Sequence, residues 1–225
     1  MDNDVVRQAP LFSALSSEDA SALRTSMTTT HLDRGDVLFR EGEQGDRVYV
    51  LTGGKMKLGR TSIDGRENLV AIIGPGEMFG ELSLFDPGPR SATASAVAPS
   101  DLLSLGHEAF HEFLNDRPKV AQSLLGALAR RLRRTNDSLA DLVFTDVPGR
   151  VAKALLDLTN RFGQPVEGGV RVAHDLTQEE LAQLVGASRE TVNKALADFA
   201  ARGWLRLEPR AVVLHDTERL ARRAR

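Results

Sequence analysis

The 225-residue sequence contains no cysteine. That absence removes disulfides, thiolate zinc sites, iron–sulfur clusters and cysteine nucleophiles together. Aromatic residues make up only 5%, with one Trp and one Tyr, too few for a platform on which bases stack. No apolar run approaches the ~20 residues of a membrane span. Met1 to Pro10 is polar and acidic, unlike a secretory leader, so the expected location is the cytoplasm. The five histidines, His31, His107, His111, His174 and His215, show no ligand-like clustering, and neither haem nor another metal is expected. Ser, His and the carboxylates show no triad spacing, so no catalytic residue is assigned and an enzyme is not expected. A net charge of −2 argues against a strongly basic binder of nucleic acid.

What is there is unevenly spread. Residues 1–129 hold 12 Lys and Arg against 18 Asp and Glu, whereas residues 130–225 hold 17 against 13. The second half is therefore the better candidate for meeting a polyanion. Twelve of the 19 glycines precede residue 110. They punctuate the apolar runs Val37–Arg40, Val48–Leu51, Met56–Leu58, Leu69–Ile73, Ala92–Val97 and Leu102–Leu105. Such runs, with turns and no helix-length spacer between them, predict an antiparallel roll or barrel.

From about Phe110 the period changes. Ala121, Leu125, Leu128, Leu132, Thr135, Leu139 and Leu142 are spaced 4, 3, 4, 3, 4, 3, a heptad seam that predicts a long helix pairing in a parallel homodimer. The alternative is a helix packed on its own roll. Arg130, Arg131, Arg133 and Arg134 flank the seam as a solvated face. Thr135 is its one polar member, with Asn136 beside it; spacing alone reads Thr135 as a register-fixing residue. Thr145–Arg150 then breaks the helix, with Asp146 as a cap and Pro148 in the next first turn, making it the hinge candidate. A helical face of Val151, Ala154, Leu155 and Leu158 runs to Phe162-Gly163, and Gln164–Gly169 reads as a loop.

The strongest motif is Thr177–Leu196. Thr177 and Glu180 form a capping box, and Leu181, Leu184 and Val185 an apolar face. Ala182 is small where a second helix crosses, Gly186 suits a left-handed helix end, and Ser188 caps the next helix. Val192, Ala195 and Leu196 face inward. This is a helix-turn-helix. The outer face carries Arg189, Glu190, Asn193 and Lys194, all hydrogen-bonding side chains near a helix N-terminus, as a major-groove reader of double-stranded DNA requires. Trp204–Leu207 and Ala211–Leu214 around Glu208-Pro209-Arg210 predict a hairpin wing, with Arg206 and Arg210 as candidate phosphate contacts. The basic tail Arg219, Arg222, Arg223 and Arg225 reads equally well as a solvated helix.

A second motif lies between Gly74 and Thr93. Phe79-Gly80-Glu81-Leu82 opens a short turn that can present N–H groups to an anion. Arg90, nine residues beyond Glu81, suits bidentate phosphate binding. Glu81 repels phosphate but suits a sugar hydroxyl; the alternative is a Glu81–Arg90 ion pair tying two strands.

These residues resemble the Crp/Fnr family of bacterial transcription regulators over essentially the whole length. Within it the chain is similar to the actinobacterial cAMP-receptor-type global regulators (GlxR-like). The resemblance is carried by Phe79–Leu82 with Arg90-Ser91, Arg130-Arg131-Leu132, Phe144–Val147 and Gly186–Val192. It implies an α+β fold: a cyclic-nucleotide-binding β-roll over residues 1–109, a dimerisation helix over 110–145 and a winged helix-turn-helix over 146–225. It further implies cAMP as an allosteric ligand, held by Gly80 and Leu82 through the backbone, Glu81 at the ribose, Arg90 and Ser91 at the cyclic phosphate, and Thr135 and Asn136 at adenine. The family's commoner residue at Asn136 is Ser. Gln178, Ser188, Arg189, Glu190, Asn193, Lys194 and Arg210 are then the DNA-binding set, with Gln178 where the family often has a phosphate-contacting Arg. The implied target resembles TGTGA–N6–TCACA, bound by a homodimer, with RNA polymerase as a further partner and no membrane. A different small-molecule ligand on the same DNA reader, and a stand-alone nucleotide-binding module, are the alternatives.

Overall fold

The computed structural model describes residues 2–13, 15–62, 67–115, 117–122, 124–126, 128–129, 132–133 and 145–224. They fall into two compact units: residues 1–135 except 68–70, and residues 136–225 together with 68–70.

The first unit begins with two helices that the apolar runs did not announce, α1 (Asp2–Gln8) and α2 (Ser17–Thr25). Ser16 caps α2 by accepting from the Asp19 N–H at 3.0 Å. The strands are β1 (Thr28–Leu32), β2 (Val37–Phe39), β3 (Gln44–Gly45), β4 (Arg47–Thr61), β5 (Glu67–Ile73), β6 (Met78–Phe79), β7 (Gly88–Pro89) and β8 (Thr93–Gly106), with the short helix α3 (Leu82–Phe85) between β6 and β7. The main sheet runs β1-β8-β4-β5, with β2 on β8 and β6 on β4, while β3 and β7 form a separate antiparallel pair.

Two pairs of expected strands merge into one strand each. Val48–Leu51 and Met56–Leu58 both belong to β4, and Ala92–Val97 and Leu102–Leu105 both belong to β8. Gly53, Gly54 and Pro99 lie between the merged runs. There the β4–β8 register shifts three times between Leu51 and Met56, and Gly54 takes φ +85 in the bend. Bulges of this kind bend a strand pair without ending it. The interior of the roll is lined by Phe39, Tyr49, Leu51, Met56, Phe79, Ala94, Ala96 and Leu102.

A second core lies between the sheet and the helices. Phe12, Leu23, Val48, Val50, Leu84, Leu105, Phe110 and Phe113 meet there; Phe110 and Phe113 come from α4 (His107–Asn115). The described residues of 118–133 are helical. Val120 and Leu124 of this segment are buried in the second core and Leu128 packs against it. Leu125 and Leu132 are 64% exposed. The segment therefore has two apolar faces: one covers its own roll, as the alternative reading held, and the other keeps two seam leucines one heptad apart in the open. Leu128, read as a seam residue, turns inward. Thr135, Asn136, Leu139 and Leu142 lie outside the described residues, as do Arg130, Arg131 and Arg134.

The expected break at Thr145–Arg150 falls inside the second unit. Asp146 caps α5 (Val147–Phe162), its carboxylate accepting from Gly149 N–H at 2.9 Å, with Pro148 in the first turn. Val151, Ala152, Leu155 and Leu158 form the buried face. The expected loop at Gln164–Gly169 is instead the hairpin of β9 (Gly163–Val166) and β10 (Gly169–Ala173), turning at Gly168 with φ +78. Pro165 disguised it, but β9 is an edge strand, where proline is tolerated. Then follow α6 (Gln178–Val185), α7 (Arg189–Ala201), β11 (Leu205–Glu208), β12 (Ala211–Leu214) and α8 (Thr217–Arg223), the strands joining in the order β11-β12-β10-β9. The last helix returns to the start of the unit: Arg223 pairs with Asp146 at 2.6 Å. Arg219 and Arg222 pair within α8, with Asp216 and Glu218, as a solvated helix does.

Candidate functional site

Arg90 is the centre of the first site. It is buried to 7% exposure, a position that a guanidinium tolerates only when its hydrogen bonds are met. Its Nη1 donates to the carbonyl of Arg47 at 2.9 Å, to Ser83 Oγ at 3.1 Å and to the carbonyl of Gly80 at 3.4 Å. Its flat face lies 4.2 Å from the centroid of the Phe39 ring and 5.6 Å from that of Tyr49. Burial pulls the Arg90 pKa down, with Tyr49 and Asp46 acting against it. Burial likewise pushes the Tyr49 phenol up.

Arg90 Nε is buried and has no hydrogen-bond partner among the described residues. An orphaned cationic donor in an aromatic-lined recess is a pre-set contact for an anion. Two glycines make the space. A Cβ on Gly45 would stand 2.5 Å from Arg90 Nε, and one on Gly80 2.8 Å from Nη1. Gly80 also takes φ +73, which lets the chain turn from β6 into α3. Glu81 precedes α3 and is 7% exposed, so its carboxylate faces into the protein, while the Leu82 side chain is 62% exposed. Ser91 is exposed beside Arg90. Gly80, Glu81 and Leu82 lead into α3, and Arg90 and Ser91 follow β7, with Arg90 Nη1 reaching back to the Gly80 carbonyl, whereas Thr135 and Asn136 fall outside the described residues.

Sequence reasoning missed Ser83, Phe39, Tyr49 and Gly45, which hold or shape Arg90 from α3 and other strands. It also missed a His pair. His107 and His111 lie one turn apart with ring centroids 4.2 Å apart, and His107 Nδ1 donates to the Leu84 carbonyl at 2.8 Å, tying α4 to α3. No group of three or more metal-ligating side chains occurs among the described residues.

The second site is α6–α7, and its geometry follows the local signals. Thr177 Oγ1 accepts from Glu180 N–H while Glu180 accepts from Thr177 N–H, completing the capping box. Gly186 ends α6 at φ +68. Ser188 caps α7 by accepting from Thr191 N–H. Val192, Ala195, Leu196 and Phe199 are buried. The orphan carbonyls at the end of α6 are met by Arg150: Nε donates to Val185 at 3.1 Å and Nη2 to Gly186 at 3.2 Å, while Nη1 reaches the Thr145 carbonyl at 2.8 Å.

Arg189, Glu190 and Lys194 are exposed, as expected of a reading face. Asn193 is not: it is half-buried and donates from Nδ2 to Gln178 Oε1 at 3.2 Å, across the two helices. The wing forms as expected and Arg210 sits at its tip with φ +55, its carbonyl accepting from Asp175 N–H at 3.0 Å. Arg206, by contrast, is engaged with Glu208 at 2.8 Å. Glu208 also binds Arg171, and the two arginines hold its pKa low.

Comparison with known proteins finds a known domain in each region. Residues 29–117 match the cyclic nucleotide-binding domain and residues 149–223 the Crp-like helix-turn-helix domain. The chain is 55% identical over 223 residues to the CRP-like cAMP-activated global transcriptional regulator of Mycobacterium tuberculosis, covering 99% of this chain and 100% of that one. The crystal structure of the N-terminal domain of a transcriptional regulator from Streptomyces coelicolor matches 60% of this chain and 95% of its own, with 58% identity and a TM-score of 0.55. That of the Thermus thermophilus catabolite activator protein matches 96% and 98%, with 37% identity and a TM-score of 0.55. The relatives are regulators rather than enzymes, and no helix among the described residues is long and apolar enough to cross a membrane. A nucleotide-binding roll followed by a capped helix-turn-helix, alike over the full length to such a regulator, places this chain in the Crp/Fnr family of transcription regulators.

Proposed function

We propose that the protein is a cAMP-responsive regulator that binds a two-fold DNA site as a homodimer. The observation that carries the reading is the buried Arg90 with its unpartnered Nε at the turn Gly80–Leu82, in the same chain as an exposed Arg189, Glu190 and Lys194 on a capped helix. The relative from M. tuberculosis is named as cAMP-activated, and the donor set fits such a ligand. Arg90 with Ser91 would hold the cyclic phosphate, the backbone of Gly80 and Leu82 would add bonds, and Glu81 would accept from the ribose hydroxyl. Thr135 and Asn136 would meet adenine.

Leu125 and Leu132, exposed one heptad apart, support pairing of the helix with a second copy. Two recognition helices would then stand about 34 Å apart, one turn of DNA, on a site resembling TGTGA–N6–TCACA. Ligand would act by its differential affinity for two arrangements of the coil and the Thr145–Gly149 hinge. RNA polymerase is the further partner such a regulator needs, and the cytoplasm its setting. The division into residues 1–109, 110–145 and 146–225 belongs to the same reading.

The test is affinity for a palindromic duplex with and without cAMP, with sedimentation to give the oligomeric state. Tighter binding of a dimer with cAMP is expected. Equal affinities would remove the switch, and a monomer on a half-site would remove the two-fold geometry.

A further inference from the structure

Asn193 was expected on the outer face of α7 with the base-reading side chains. Its Nδ2 instead donates to Gln178 Oε1 at 3.2 Å, and its own Oδ1 is buried without a partner. A buried carbonyl oxygen left unpaired costs stability. An alanine at the same place would remove that cost and favour the helix. What an asparagine supplies here that an alanine would not is its bond to Gln178.

Gln178 is the first residue of α6 and is exposed. A free glutamine amide is ambivalent, with an oxygen that accepts and an NH2 that donates. With Oε1 bonded to Asn193, the oxygen is turned toward α7 with one lone pair left, and the two N–H donors stay available on the other side of the amide. A phosphodiester oxygen only accepts, so an amide turned donor-first binds it and one turned oxygen-first repels it. Gln178 also lines, with Thr177, Pro209 and Arg210, a recess of about 240 Å³. Gln178 and Arg210 therefore border one recess. Arg210 is held there in a left-handed backbone conformation, fastened through its carbonyl to Asp175.

We propose that Asn193 is a positioning residue and not a base reader. It orients Gln178 donor-first toward a backbone phosphate of duplex DNA seated between the start of α6 and the wing tip, where Arg210 supplies the positive charge. This rests on the reading that α6–α7 lies on DNA.

The experiment measures binding of the full-length protein to an operator duplex and to a random duplex over a range of salt, for the wild type, N193A, Q178A, Q178A/N193A and R210A. N193A weakens both duplexes by the same factor, about three- to tenfold, and leaves the operator-to-random ratio unchanged, because phosphate contacts carry no base information. Its salt slope matches the wild type, since a neutral amide releases no counterion, while R210A lowers the slope by about 1. The double variant is no weaker than Q178A, as two residues acting through one contact are not additive. The thermal midpoint of N193A equals or exceeds that of the wild type, which separates positioning from a merely structural role. An operator-selective loss in N193A, or additive losses in the double variant, overturns the proposal while the DNA reading stands. A wild type with no affinity for either duplex overturns both.

Discussion

Arg90 and Arg189 are the same residue put to opposite uses. Arg90 is desolvated, stacked on Phe39, and bound by the oxygens of Arg47, Gly80 and Ser83, with its Nε kept in reserve. Arg189 stands exposed on the first turn of a helix whose caps are complete. The proposed nucleotide site is thus built before its ligand arrives, at the cost of burying a charge. The proposed DNA site leaves its charges hydrated and relies on the capped helix to aim them. A small ligand must be recognised by few groups, each of which needs to be strong. A duplex offers many phosphates, and each contact with it is weak but numerous.

Substitutions sharpen that contrast, and the largest effect belongs to the buried arginine. Arg90→Ala removes charge-assisted bonds from a desolvated site and lowers cyclic-nucleotide affinity by roughly 3 kcal/mol, about two orders of magnitude. Calorimetry reads this directly, and circular dichroism shows an intact fold; an unchanged titration would mean that the nucleotide lies elsewhere. Arg189→Ala has a smaller effect of another kind, a loss of about 1–3 kcal/mol in operator affinity with relaxed preference at one base pair. A panel of singly substituted operators displays it. A uniform loss across the panel would make Arg189 a phosphate contact, and the contrast between the two arginines would narrow.

Thr177→Ala opens the capping box and costs the second unit about 1 kcal/mol of stability, seen as a lower denaturation midpoint, with nucleotide affinity untouched. Smallest are two pH effects of opposite sign. The Asp146 carboxyl is held below its ordinary value of 3.8 by the hydrogen bond from Arg223 and then by that from Gly149 N–H. Its contribution is complete above 3.8 and disappears as pH falls through the lowered value. In the first unit, His31 is raised above 6.5, chiefly by its hydrogen bond with Asp101. Its contribution is complete below 6.5 and disappears as pH rises through the raised value. Asp146→Asn flattens the acid limb of the pH–stability curve and Asp101→Asn the alkaline one. Curves that move together in both variants would deny that the two pairs are separate.

The two regions also differ in how far they could be read beforehand. The caps and the turn of α6–α7 are set within a few residues along the chain: Thr177 with Glu180, Gly186, Ser188 with Thr191. Local rules suffice there, and they predicted the caps, the turn and the buried face. The neighbourhood of Arg90 is assembled from β2, β3, β4 and α3. Periodicity contains nothing that brings Phe39, Gly45 and Tyr49 to one guanidinium. Long strands were misread for a related reason. Gly54 and Pro99 mark a turn in a lone segment, but a bulge when a partner strand continues past them. Asn193 failed in a third way. Helical spacing assigns a residue to a face but does not show that its side chain will fold back onto the neighbouring helix.

The clasp between Arg223 and Asp146 makes the second unit close on itself, bringing the tail of the chain beside the segment that precedes α5. A segment carried directly behind Arg223 would therefore set out from beside Asp146, not from a remote corner. Preparations tagged at opposite termini are different molecules for any assay of signalling between ligand and DNA.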